Sequence, residues 1–489
     1  MHAIRARKKH RDSSKFLYHS PMQPLPIDID RKAKTPLSEQ IYAAIRAAIV
    51  EQRLAAGARL PSWTDLSAQL GVARGTTRAA YERLVDEQLA EADGARGTRV
   101  AERPPLDPRQ AEAPAAPPLS WPFQDYERAP LLFRPCLPAH DAFPHALWSR
   151  LSAQAARAAA AAPLAYPDPR GEIELRRTIC AYLAVARGLH CAPEQVIVTT
   201  GYFGALGLAL RALPLAGREV WLEEPAFPVT REALRFAGLE AVPVRVDAQG
   251  LDVAEAVRRA PRAALAAVTP SQQAPLGMAM SLPRRLALLR WASETGAHVI
   301  EDDYLGELQL DGRAAPALAS LDRDGRVVYA GTFSKTMSPA LRLGFLIAPP
   351  ALAARFAQIA ACLAPAPAPA TQRAVAAFIA EGHFLRHLRR MKRLYAARRH
   401  ALTIALREAA GEDAKISACA LSLKLDLPED ADDLAIAARA VAAGLAPAPL
   451  SPWYAEEPRP RGLLLGVANI REARLAEDCR RLLALARDG

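Results

Sequence analysis

At 489 residues the chain exceeds what one compact core supports, so two or three domains are expected. Its composition, 51% hydrophobic and 24% charged, is ordinary for globular domains, and its net charge is +11. That charge is not one basic block. Residues 1–24 hold six Lys/Arg against one Asp, whereas residues 25–100 hold eleven against ten. Nucleic-acid contact from the first hundred residues would therefore rest on a few placed arginines. The six cysteines (Cys136, Cys180, Cys191, Cys362, Cys419, Cys479) form no C-x-x-C pair and no Cys/His cluster. No zinc site is expected, and unpatterned thiols in a chain of this size read as cytoplasmic and reduced. The longest uncharged runs, 263–283 and 356–372, carry prolines and glutamines and do not read as membrane spans.

In chain order, residues 1–29 read as a basic, disordered tail. It lacks the apolar run of a secretory signal. Residues 30–101 read as a winged helix-turn-helix, a DNA-binding fold. Ile41, Ile45 and Ile49 stand four apart on one helical stripe. Ser62 is placed to cap a second helix that Gly71 ends. A third helix starts near Arg74 and turns Tyr81, Leu84 and Val85 inward. "LAEADGARGTRVAE" then gives two short strands about a glycine turn. In such a fold the start of the third helix enters the major groove. That position makes Arg74, Thr76, Thr77 and Arg78 the candidate readers, arginine suiting guanine edges and threonine phosphates or methyls. Ser62 and Thr64 are candidates for backbone phosphates, and Arg96, Thr98 and Arg99 for wing contacts.

Residues 102–130 carry eight prolines and no apolar period, so a semi-rigid spacer is expected. From 131 to 489, β-type runs ("QVIVTT", "EVWLEE", "AVPVRV", "AALAAVT", "HVIEDD", "RVVYAGT") alternate with amphipathic helices such as 282–295. This is the pattern of an α/β domain with a mainly parallel sheet, and a smaller α+β part follows from about 375. Ligands of open α/β sheets bind at the carboxyl ends of strands. Three such ends carry chemistry. "VTTGYFGALGLAL" runs from a strand through a glycine turn into a helix whose free N–H groups suit a phosphate. A plain strand-to-helix turn is the commoner meaning of that stretch taken alone. "VIEDDYLGE" ends on Glu301, Asp302, Asp303 and Tyr304, which suit either a metal or a ring nitrogen. "GTFSKTMSPALRLGF" offers Thr332, Ser334 and Arg342 to a phosphate, and Lys335 to an aldehyde.

Together, and in this order, "YPDPRGEIELR", "VTPSQQAPLG", "EDDYLGE" and "GTFSKTMSPALRLG" resemble the fold type I pyridoxal-phosphate enzymes of the aspartate aminotransferase family. The resemblance spans nearly all of 131–489. With the GntR-type winged helix in front, the whole chain resembles a MocR-type transcriptional regulator. It implies pyridoxal 5′-phosphate as cofactor, with Lys335 as the lysine that bonds to its aldehyde. Asp302 would be the partner of the pyridine nitrogen and Tyr304 the donor to the ring's 3-oxygen. Phe227 would stack on the ring. Thr332, Ser334 and Arg342, with the backbone near Tyr202 and Phe203, would form the phosphate cup. It further implies double-stranded operator DNA and a small-molecule effector as partners, in a head-to-tail homodimer. Control of vitamin B6 supply or of amino-acid metabolism is the process it points to.

Two departures stand out. The region that carries the family's cofactor asparagine reads "QQAPLG". The segment in which aminotransferases place a carboxylate-clamping arginine reads "GLLLGVAN", and leucine cannot replace a bidentate guanidinium. The missing clamp argues against turnover, leaving a working aminotransferase that carries a DNA-binding domain as the alternative. The seven Lys/Arg of residues 386–399 read as a solvated structural helix rather than a phosphate-binding one.

Overall fold

Ile41, Ile45 and Ile49 are buried along one face of the first helix, α1 (Leu37–Val50). Each such isoleucine contributes about 1.5–3 kcal/mol relative to an exposed one. The face packs on α3 (Arg74–Asp86) through Tyr81 and Leu84. Between them lies α2 (Trp63–Leu70). The Ser62 hydroxyl accepts the Asp65 N–H at 3.0 Å to start it, and Gly71, at φ 61°, ends it in the left-handed conformation. Strands β1 (Ala90–Ala92) and β2 (Thr98–Val100) pair antiparallel, Ala90 opposite Val100, and Val100 closes the small core. The computed structural model describes residues 26–94, 97–102, 132–162, 165–215, 217–312, 314–411 and 413–487. Arg96, most of the expected tail and nearly all of the expected spacer lie outside the described residues. The chain divides into two units, 1–118 and 119–489, of which the three helices and the hairpin belong to the first.

In the second unit, α4 (His145–Ala160) and α5 (Ile173–Arg187) precede an eight-stranded sheet. Its strands are β3 (Val196–Thr199), β4 (Glu219–Glu224), β5 (Glu240–Asp247), β6 (Gly250–Leu251), β7 (Leu265–Val268), β8 (His298–Asp303), β9 (Val327–Thr332) and β10 (Gly344–Ile347). The spatial order is β3-β10-β9-β8-β7-β4-β5-β6. Strands β5, β4, β7, β8 and β9 run parallel, and β10 lies antiparallel between β3 and β9. The sequence pattern gave no sign of β10. Its four residues are uniformly buried, so they show no alternation. Helices α6 (Tyr202–Ala212) and 353–363 cover one face. Helix 282–295 covers part of the other, where Trp291 stacks on Trp221 with ring centroids 3.6 Å apart.

The C-terminal part has a four-stranded antiparallel sheet in the order β11-β12-β14-β13: β11 (Ile416–Cys419), β12 (Ser422–Asp426), β13 (Ala448–Pro449) and β14 (Gly462–Gly466). It packs with the long helix 383–410, whose Phe384, Leu388, Met391, Tyr395 and Leu402 form a buried stripe. The basic side chains of that helix tie it to the fold. Arg398 pairs with Asp141 and Glu472, Arg399 pairs with Asp311, and Lys392 donates to the Gly312 carbonyl. Among the described residues no helix is long and apolar enough to cross a membrane.

His387 on this helix is buried against Phe143 and Phe378, with Nε2 3.0 Å from the Thr336 carbonyl oxygen. Burial lowers its pKa from 6.5 to about 4. The neutral ring is therefore the folded form, and its stabilisation is present above pH 6.5. It is lost as pH falls from 6.5 towards 4, by at most about 3 kcal/mol. Thermal melts between pH 7 and 4.5 should show this loss, and His387→Gln should flatten it. Equal slopes for both proteins would rule the histidine out as the cause.

Candidate functional site

Strand alternation sorts the residues of "EDDY". Glu301 and Asp303 share one face of β8, whereas Ile300 and Asp302 face a cleft. Glu301 accepts the backbone N–H groups of Leu318 and Ala319, each at 2.8 Å. Asp303 accepts from Arg187 Nε and from the Tyr329 hydroxyl, both at 2.7 Å, and its ion pair with Arg187 is fully buried. Asp302 accepts no hydrogen bond from a described residue. Burial first, and the neighbouring Asp303 second, raise its pKa well above the usual carboxylate range. Lys335 pulls the other way and is therefore close by. The metal reading of this cluster fades with the geometry, because the carboxylates diverge.

Tyr202, Glu223, Phe227, Thr230, Thr269 and Ala274 line the same cleft. The Tyr202 hydroxyl bonds to Thr230 Oγ1 at 3.0 Å. Burial raises the Glu223 carboxyl to about 7, against hydrogen bonds from Thr269 and Gln273. Phe227 precedes α7 (Pro228–Phe236), with its ring stacked 6.2 Å from Phe203 and tilted 5.6 Å from Trp453. Tyr304 is partly buried, and burial raises its phenol well above the usual range, with Cys136 and Asp302 adding to the shift.

β10 draws the other pieces together. Gly344 lies opposite Thr199 on β3 and Thr332 on β9. A Cβ there would meet the Gly331 carbonyl oxygen at 2.7 Å and Gly201 Cα at 2.8 Å, so only glycine allows this approach. The start of α6 thus comes up beside the Thr332–Lys335 turn. Gly201, at φ 93°, leads into α6 without a side-chain cap, so the first N–H groups of Tyr202 and Phe203 stay open. Across from them Thr332 Oγ1 donates to Ser334 Oγ at 3.0 Å. Lys335 forms no ion pair or hydrogen bond with a described residue. Arg342 is exposed and likewise unpaired, on a left-handed backbone (φ 47°) at the entry to β10.

Pyridoxal phosphate fits this donor set. A carboxyl without a partner suits a protonated ring nitrogen, an aromatic wall suits the ring, and an uncapped helix start with two hydroxyls suits a phosphate. An unpaired amine suits the aldehyde. The sequence reading missed Cys136, Glu223, Thr230, Thr269 and Ala274. Cys136 sits near enough to Lys335 and Asp302 for their charges to act on its thiol, which burial raises. Only Glu223 carried a signal, as an acidic residue at the carboxyl end of a strand.

In the first unit Arg74 is exposed at the first turn of α3 and makes no bond to a described residue. Thr76 is partly exposed. Arg78 is exposed and pairs with Glu82 at 2.7 Å. Thr77 departs from the expectation. It is fully buried, with a hydroxyl that has no partner among the described residues, because one helical step of about 100° past Thr76 turns it into the core. Ser62 and Thr64 bond each other at 2.7 Å, Ser62 while capping α2. Thr98 is partly exposed, and Arg99 is exposed and donates to the Gly57 carbonyl at 3.2 Å. Arg74→Ala is expected to weaken operator binding by about 1–3 kcal/mol if the side chain reads a base. Thr77→Val should leave binding unchanged. Mobility-shift titrations at fixed salt decide, and a weakened Thr77→Val with a native Arg74→Ala would reverse the assignment of the two faces.

Residues 37–100 match the bacterial regulatory proteins of the gntR family, and residues 144–450 match aminotransferase class I and II. The chain is 36% identical over 455 residues to the probable rhizopine catabolism regulatory protein MocR of Rhizobium meliloti, covering 90% of this chain and 92% of that one. It is 33% identical to the pyridoxine biosynthesis transcriptional regulator PdxR of Corynebacterium glutamicum, covering 77% and 80% of the two chains. Among solved structures, α-aminoadipate aminotransferase LysN of Thermus thermophilus, complexed with N-(5′-phosphopyridoxyl)-L-leucine, is 28% identical with a TM-score of 0.66. That likeness covers 73% of this chain and 92% of that one. The kynurenine aminotransferase of Pyrococcus horikoshii shares the fold at 24% identity, covering 74% and 91% of the two chains, also with a TM-score of 0.66. With both domains in this order and a relative matching across nine-tenths of its length, the chain belongs to the MocR-type subfamily of GntR transcriptional regulators.

Proposed function

We propose that this regulator binds operator DNA through its winged helix and holds pyridoxal phosphate in its aminotransferase-like unit, which reports a ligand to the DNA. The observation that carries the reading is Asp302. It is a cleft-facing carboxyl with no partner among the described residues, within electrostatic reach of Lys335.

Bound there, the cofactor supplies an aldehyde that combines reversibly with primary amines. Lys335 would hold it covalently and yield to a competing amine. Asp302 would keep the ring nitrogen protonated. The carboxyl is pushed up while alone, and a cation beside it restores its charge. Thr332, Ser334, Arg342 and the start of α6 would hold the phosphate. Phe227 would fix the plane of the ring, and Tyr304 would donate to its 3-oxygen. On the DNA side, Arg74, Thr76 and Arg78 would face the major groove, with Ser62, Thr64, Thr98 and Arg99 towards the backbone.

The names of the relatives favour two processes. That of the Corynebacterium protein points to vitamin B6 supply, and that of the Rhizobium protein to a catabolic operon; in the first case the cofactor itself would be the effector. A head-to-tail homodimer would give the effector its lever. A ligand acts on DNA at a distance only by binding two arrangements unequally, and the spacing of two winged helices is the quantity a dimer can change. Titrating operator fragments with and without pyridoxal phosphate tests the reading. Affinity or bending should change by several-fold with the cofactor, and Asp302→Ala should blunt the change. Identical isotherms and identical bending would reduce the second unit to a scaffold.

A further inference from the structure

The three leucines of "GLLLG" are not equivalent. Alternation along β14 sends Leu463 and Leu465 into the main core of the second unit. Leu464 faces the other way. It joins Ala274, Leu450 and Trp453 in a small apolar cluster, against which Phe227 and Tyr304 pack. Phe227 and Ala274 also line the cleft of Asp302. The two segments in which the aminotransferase pattern carries an asparagine and an arginine therefore meet here as an alanine and a leucine, side by side.

Two arginines beside this cluster are committed elsewhere. Arg231 donates to the carbonyls of Pro452 (2.7 Å) and Trp453 (3.4 Å). Arg461 lies 3.9 Å from Asp433, a buried carboxylate that also accepts from the N–H groups of Leu450 and Ser451. A carboxylate placed on this wall would lose its water and gain no counter-charge from these two. One unspent polar group in the cluster is neutral: the Trp453 indole N–H is buried and has no partner among the described residues.

We propose that the amine recognised at this site is a primary amine without a carboxylate, with an apolar body lying against Leu464, Ala274 and Trp453. The proposal rests on pyridoxal phosphate being held as described above. The regulator would respond to amines and ignore the matching amino acids. An amine buries only carbon on this wall, while an amino acid must also strip its carboxylate of water.

The test uses the full chain loaded with pyridoxal phosphate, its loading read from visible absorbance. Calorimetric titrations compare 2-phenylethylamine with L-phenylalanine, and hexylamine with norleucine. Each amine should bind at least tenfold more tightly than its amino acid. Leu464→Arg should narrow or reverse the ratio, and Leu464→Met, of similar volume, should keep it. The wild-type comparison stands by itself if Leu464→Arg does not fold. A loaded protein that binds the amino acids as tightly, or binds neither class, overturns the proposal alone. A protein that takes up no pyridoxal phosphate overturns the reading beneath it, and this proposal with it.

Discussion

Lys335→Ala should purify without the visible absorbance of the wild type and should lose added pyridoxal phosphate on dialysis. Lys335 makes no ion pair with a described residue, and its neighbours Thr332 and Ser334 bond one another rather than the lysine. On the proposed reading the substitution removes the covalent anchor and leaves the residues proposed to hold the phosphate and the ring, with Asp302, in place. Weak, reversible binding should therefore survive, and the melting temperature without cofactor should stay within a few degrees of wild type. The effect of the cofactor on operator affinity should fall with the anchor, while basal DNA affinity stays, because Lys335 and the winged helix belong to separate units. A variant that kept the visible band through dialysis would show that another amine holds the aldehyde.

Arg187→Met should cost about 3–5 kcal/mol, the range for breaking a buried ion pair from one side. The guanidinium is fully buried. It donates to Asp303, to the Ala315 carbonyl at 2.7 Å and to Ser271 Oγ at 2.6 Å. Burial works against its charge, but Asp303, with Tyr329, Glu307 and Glu301, more than offsets this and holds its proton more firmly than usual. Without the arginine, Asp303 keeps one hydrogen bond, from Tyr329, and its other oxygen already has none. The charge would have to be neutralised or solvated. Replacing both partners, with Asp303→Leu added, should recover part of the loss, since an apolar pair leaves no stranded charge. Urea unfolding of the full chain carrying Trp63→Phe in both proteins, followed by tryptophan fluorescence, measures the second unit, which holds the other five tryptophans. A shift below about 1 kcal/mol would mean that water reaches the pair. Cofactor affinity should fall too, because the backbone of Asp303 fixes that of Asp302.

Much of the site was legible in the sequence because its pieces are local. Ser62, Asp65 and Gly71 specify a helix within ten residues. The strand runs and their chemical ends lie within single motifs, so Asp302, Lys335 and Thr332 needed only spacing and a family likeness to be nominated. Arg74 and Thr77 show the limit. Three residues apart at the start of one helix, both suited DNA by type, yet the packing of α3 into the small core decided that only one of them faces out.

By itself the sequence determined the order of the two domains, six strands of the large sheet and the residue types that would meet a phosphate, a ring and an aldehyde. Those depend on period, on turn residues and on short-range spacing, which a linear string contains. The tertiary structure alone decided that β10 slides between β3 and β9 and brings Gly201 up to Gly331. It also decided that Arg187 reaches Asp303 across 116 residues, and that Leu464 rather than Leu463 or Leu465 meets Ala274. These are contacts between segments far apart in the chain. Their partners are chosen by which face of a strand is buried and by what else is packed there, and no window of the sequence holds both halves of that choice.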